Sequence, residues 1–186
     1  MPPKVKITRE AIIDKAVDVV RISGASGINA RTIASLLGCS TQPIFSNFAT
    51  MGELVLAVAE KADSLYREYL QKEIERGKYP PYKATGMAYI RFAKEERELF
   101  KLLFMRDRAG EPIPQEFVID NQMETIIQQT TGFKKEKMQL FHLEMWAYVH
   151  GIATMFATGF LDMDWELVSK MLTDAYLGLR KQYGAE

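Results

Sequence analysis

A chain of 186 residues, 47% hydrophobic and 26% charged, is long enough to bury a sizeable core and has an ordinary globular composition. No apolar run approaches the roughly 18 residues of a membrane span, the charged start MPPKVKITRE lacks a secretory apolar stretch, and one cysteine excludes an internal disulfide framework; a cytoplasmic protein is expected. Formal net charge is zero, yet residues 1–50 hold six basic against three acidic side chains and residues 51–186 hold 18 against 21, a small asymmetry that suits a protein offering one end to phosphate.

In chain order the pattern is helix after helix. Residues 8–23 place Ile12, Ile13, Ala16, Val19 and Val20 at helical spacing, with Thr8 as cap and Gly24 as stop. Two short helices follow. Asn29 can cap the first, which runs to about Leu37 and ends at Gly38, where a positive φ is needed. Ser40 can cap the second by accepting from the Gln42 N–H, since Pro43 has none to offer, and this helix runs to about Asn47. Ile33, Ala34, Leu37, Ile44, Phe45 and Phe48 are the expected shared apolar face. Thr50 and Glu53 form a capping box for a long helix from Met51 to about Arg76, stopped by Gly77-Lys78-Tyr79-Pro80-Pro81.

Residues 82–93 and 95–105 read as two helices rich in aromatics and methionine, and 106–114 as a polar loop. Pro114 suits the first turn of a helix to about Thr130. A long helix is expected from about Lys134 to Thr158, and a last one, capped by Asp162 or Asp164, ending near Tyr183. The total is nine helices, three in an N-terminal unit and six in a body: an all-α fold.

Two short helices joined by a glycine-containing turn form the geometry that lays a recognition helix in the DNA major groove. The stretch from Thr8 through Gly24, Ile33-Ala34, Gly38-Cys39-Ser40, Ile44-Phe45-Ser46-Asn47-Phe48 and Glu53-Leu54 resembles the helix-turn-helix domain of the TetR family of transcriptional regulators. WAYVHG at Trp146 to Gly151 is similar to a tryptophan-histidine-glycine motif in the C-terminal domain of one branch of that family. The resemblance implies a DNA-binding domain at 1–50 and a ligand-binding and dimerisation domain at 51–186. It also implies a homodimer on a palindromic double-stranded operator, acting as a repressor released by a small-molecule effector, with helices 134–158 and 164–183 at the dimer interface.

Within that frame Thr41, Gln42 and Ser46 are candidates to read base edges, Gln through a bidentate pair with adenine. Asn29, Arg31, Asn47 and Thr50, with Lys4 and Lys6, are candidates near phosphate, and Ser40 and Phe45 are further candidate DNA-binding residues. The family commonly has tyrosine where this chain has Phe45, histidine or tyrosine at Asn47, and lysine at Met51. These departures remove a hydroxyl and a positive charge, and they predict a shallow salt dependence. Cys39 in the turn reads as a small buried hydrophobe more readily than as a redox switch.

In the body, Met87, Phe92, Phe104 and Met123, with Trp146 and His150, are the candidate lining of an apolar pocket for an apolar or aromatic ligand. The same stripe also suits an ordinary core. His142, Trp146 and His150 share one helix face, but no second ligand cluster supports a metal, and no cofactor motif is present. No catalytic constellation appears, so an enzyme is not expected. The alternatives are a helical ligand- or partner-binding protein that has lost DNA affinity, and an enzyme using His142 or His150 as acid–base.

Overall fold

The computed structural model describes residues 7–106 and 121–184, apart from the side chains at 121–123 and 135; Lys4, Lys6, the expected loop beyond Arg106 and the helix start at Pro114 lie outside the described residues. Among the described residues the chain is all-helical. The helices are α1 (Arg9–Ser23), α2 (Ala30–Leu36), α3 (Gln42–Asn47), α4 (Met51–Glu75), α5 (Pro81–Glu95), α6 (Arg97–Phe104), α7 (Asn121–Thr131), α8 (Lys135–Thr158) and α9 (Trp165–Gln182), with a 3-10 turn at Ala25–Gly27. No helix is long and apolar enough to cross a membrane.

Local chemistry sets most of the boundaries. The Thr8 hydroxyl accepts from the Ala11 N–H at 3.1 Å and starts α1. Asp164, rather than Asp162, accepts from the Leu167 N–H at 2.7 Å and starts α9. Each bond satisfies one of the donors that a helix leaves unpaired at its N-terminus.

The chain divides into two compact units, Met1–Arg67 with Glu96–Arg106, and Glu68–Glu95 with Asp107–Glu186. In the first, α1 packs on α2, α3 and α6, and Ile12, Val20, Ile33, Ile44, Phe48, Leu54, Leu99 and Phe100 are buried. Arg21 donates two hydrogen bonds, of 2.8 and 2.7 Å, to the Glu96 carboxylate, the fork geometry that arginine offers a carboxylate. In the second unit α5 packs on α8 and α9, and Gly86 lets the helices approach closely: a Cβ there would stand 3.3 Å from Val149 and 3.4 Å from Leu172. Tyr82, Ile127, Phe133, Met138, Phe141 and Met145 form a buried cluster of this unit. Glu73, near the end of α4, is buried and accepts hydrogen bonds from Arg76 and Arg91. The two guanidinium partners offset the hydration that this side chain loses on burial.

Candidate nucleic-acid interface

The turn between α2 and α3 is built from its sequence outward. Asn29 caps α2: its Oδ1 accepts from the Thr32 N–H at 2.9 Å while its amide donates to the Gly27 carbonyl. Gly38 has φ 64°, and its N–H reaches the Ser35 carbonyl while that of Cys39 reaches Ala34. Those two bonds form a Schellman closure, which needs a left-handed residue at this position. The start of α3 differs from expectation. Thr41, not Ser40, is the cap; its backbone is already right-handed helical (φ −72°, ψ −13°), and its side chain makes no cap hydrogen bond. Its carbonyl accepts from the N–H groups of Ile44 and Phe45, and Pro43 sits in the first turn.

Ile33 and Ala34 of α2 and Ile44 and Phe48 around α3 are buried as expected, but Phe45 is not part of this face. Its side chain is 53% exposed, against 0% for Ile44 and 1% for Phe48. Ile44 and Phe48 lie four residues apart and hold the inner face, so Phe45 is rotated about a quarter turn towards water.

Gln42 and Ser46 are also exposed, and Thr41 is half-buried. The Ser46 hydroxyl donates to the Gln42 carbonyl at 2.9 Å, and the Asn47 amide donates to the Pro43 carbonyl at 2.7 Å. Both side chains therefore turn back on their own helix. Arg31 and Ser40 are exposed. The Thr50 hydroxyl accepts from the Glu53 N–H at 3.1 Å, and the Glu53 carboxylate reaches back to the Ala49 N–H at 2.8 Å.

Arg9 is a residue of this region that the sequence reading missed. Its guanidinium donates to the Asn47 carbonyl at 2.9 Å and to Glu53 at 3.0 Å, and lies 4.1 Å from the centre of the Phe48 ring. It ties α1 to the end of α3 and the start of α4. The Ala49 N–H and the Arg9 guanidinium together hold the Glu53 carboxyl below its ordinary pKa. The signal available in the sequence was a cation at the start of α1 with an acidic residue in the first turn of α4.

The candidate pocket residues are not all brought together. Met87 and Phe92 of α5 are fully buried in the second unit. His150 belongs to the same unit; its Nδ1 lies 3.0 Å from the Tyr89 hydroxyl, and its ring stacks on Trp146 with centroids 4.6 Å apart. Burial holds the His150 pKa below its ordinary value. Phe104 belongs to the first unit instead, edge-on to Tyr66 at 5.4 Å. The Met123 side chain lies outside the described residues. A second pair of the same kind joins Tyr82 to His142 Nδ1 at 3.0 Å. Tyr82 and Tyr89 both lie on α5, and His142 and His150 both lie on α8, so the two pairs join the same two helices. Among the described residues no three potential metal ligands come together.

Residues 82–175, about half of the chain, match the model of the tetracyclin repressor-like C-terminal domain. The chain is similar in fold to a solved protein of unknown function from Rhodococcus sp. RHA1, with 23% identity, 94% of each chain covered and a TM-score of 0.72. No curated protein matches the sequence.

Proposed function

Because the chain belongs to the TetR family of regulators, we propose that it is a repressor that binds a palindromic operator as a homodimer and leaves it when a small apolar or aromatic ligand enters the C-terminal domain. The observation that carries this reading is the pair α2–α3: a glycine-closed turn, one shared buried face, and Gln42, Phe45 and Ser46 left in water on the short second helix. In this arrangement α3 enters the major groove, and Gln42 reads a base edge. Arg31 meets the backbone phosphates, with Asn47 and the first N–H groups of α4.

Dimerisation through α8 and α9 is supported by their outward leucines. Leu140 and Leu143 on α8, and Leu167 and Leu177 on α9, are each 44–53% exposed. Gly151 is exposed beside them on α8, and a Cβ there would meet nothing within 4 Å. Ala153 and Ala157, by contrast, are buried in their own unit. Met87 and Phe92, with Trp146 and His150, favour an apolar or aromatic effector. The ligand would act by binding more tightly to one separation of the two recognition helices than to the other. We place the protein in the cytoplasm, where its operator is.

The test is fluorescence anisotropy of the purified protein on its own upstream promoter fragment, against an unrelated duplex, at several salt concentrations. Tight, salt-sensitive binding to the promoter alone is expected. If neither duplex binds and none is recovered from a random pool, a ligand- or partner-binding protein without DNA affinity takes its place. That second reading is favoured by the departures at Phe45, Asn47 and Met51.

A further inference from the structure

An exposed aromatic ring on a six-residue helix is the least expected feature of the first unit. Phe45 sits one residue from the buried Ile44, with more than half its side chain in water. It has no hydroxyl for a phosphate. Of its polar neighbours, Ser46 is exposed but bonds its hydroxyl to the Gln42 carbonyl, and Asn47 bonds its amide to the Pro43 carbonyl. With the exposed Ser46 hydroxyl already engaged on its own helix, the outward face of α3 offers the Gln42 amide and one apolar ring. These two are three residues apart on a helix and so are neighbours on its surface.

The major groove presents donors and acceptors on every base pair, but only thymine presents an apolar group, its C5 methyl. A ring that cannot hydrogen-bond loses nothing by desolvation there and gains the burial of a methyl. We propose that Phe45 is a specificity-determining residue, its ring packing on the C5 methyl of a thymine one or two base pairs from an adenine paired by Gln42. The proposal rests on the DNA-binding reading above and adds to it a chemical class of half-site: an adenine and a thymine methyl, with little discrimination carried by Ser46 or Asn47.

The test separates the two. Full-length protein recovers duplexes from a random pool, and each thymine of the recovered half-site is then replaced by deoxyuridine, which removes the C5 methyl alone. At one position the replacement is expected to weaken wild-type binding about fourfold per half-site, the size of one buried methyl group. The same replacement should cost Phe45→Ala less than about twofold on that scale, while Phe45→Leu, still apolar, keeps the sensitivity. Because the ring is exposed, both variants should retain the wild-type circular dichroism and melting temperature. Recovery of a tight duplex in which deoxyuridine changes nothing at any position overturns the proposal and leaves DNA binding standing. So does an equal loss in wild type and Phe45→Ala. If no duplex is recovered, the DNA-binding reading itself fails and this inference falls with it.

Discussion

At the level of single residues, His150 ties stability to pH. The Tyr89 hydroxyl faces its Nδ1 at 3.0 Å, and the Trp146 ring stacks on the imidazole. Burial lowers its pKa from the ordinary 6.5. Below that value the unfolded chain takes up a proton that the folded chain refuses, so stability rises with pH through this window and is complete above it. Urea midpoints measured at pH 5.5 and 7.5 should therefore differ, with the lower stability at pH 5.5. Replacing His150 by Gln should reduce that difference; an unchanged difference would assign it to other groups. Glu53 acts with the same sign in a more acidic window. Its carboxyl is held below the ordinary range by the Ala49 N–H and Arg9, so its contribution is present above the unfolded carboxylate pKa and is lost as pH falls through the folded one.

Between helices, α5 comes close to α8 and α9 at Gly86, and magnitudes decide what a side chain does there. A single methyl would stand 3.3–3.4 Å from the ends of Val149 and Leu172, a mild overlap with side-chain methyls that can shift. Alanine in place of a helical glycine gains about 0.5–1 kcal/mol, so Gly86→Ala is expected to be close to neutral in urea unfolding. Gly86→Leu adds three more carbons to the same gap and should cost about 1–3 kcal/mol. In the turn before α3 the balance differs. Gly38 has open space around a Cβ but a φ of 64°, so Gly38→Ala should cost about 1 kcal/mol, and Gly38→Asn less. Helix ends of this kind were legible in the sequence because they depend on one or two side chains: Thr8, Asn29, Thr50 with Glu53, and Asp164 all do locally what their types suggest. What local pattern could not decide was set by packing at a distance. The start of α3 moved to Thr41 because its backbone is already helical there. Phe45 was misplaced because six residues are fewer than two turns, too short for the period to choose between neighbouring faces. Phe104 was grouped with Met87 by sequence proximity, while α6 packs on α1 instead. The joint effect of Tyr89 and Trp146 on His150 was likewise invisible, since it brings together α5 and α8 from 61 residues apart.

For the whole molecule, the distribution of charge decides how it should meet DNA. The chain is neutral overall, so attraction to a polyanion rests on the small excess of cations in residues 1–50 and on the few near the candidate interface. Arg31 is exposed there, but Arg9 is already committed to Glu53 and the Asn47 carbonyl. Met51, the first residue of α4, stands where relatives commonly carry lysine. The log of the binding constant falls against the log of salt concentration by about 0.9 for each phosphate neutralised on duplex DNA. In the proposed homodimer, Met51→Lys adds two such contacts, so its slope should be steeper than wild type by about two. Its affinity should gain most at low salt, where counterion release is worth most. Anisotropy titrations of both proteins on one duplex from about 50 to 200 mM salt measure the difference. Equal slopes would place the start of α4 away from the phosphates and leave the proposed backbone contacts to Arg31 and Asn47. A steeper slope for Met51→Lys would place the α4 N-terminus against the DNA backbone and leave the wild-type protein, without that cation, to rely more on contacts that salt does not weaken, such as the exposed Phe45 ring.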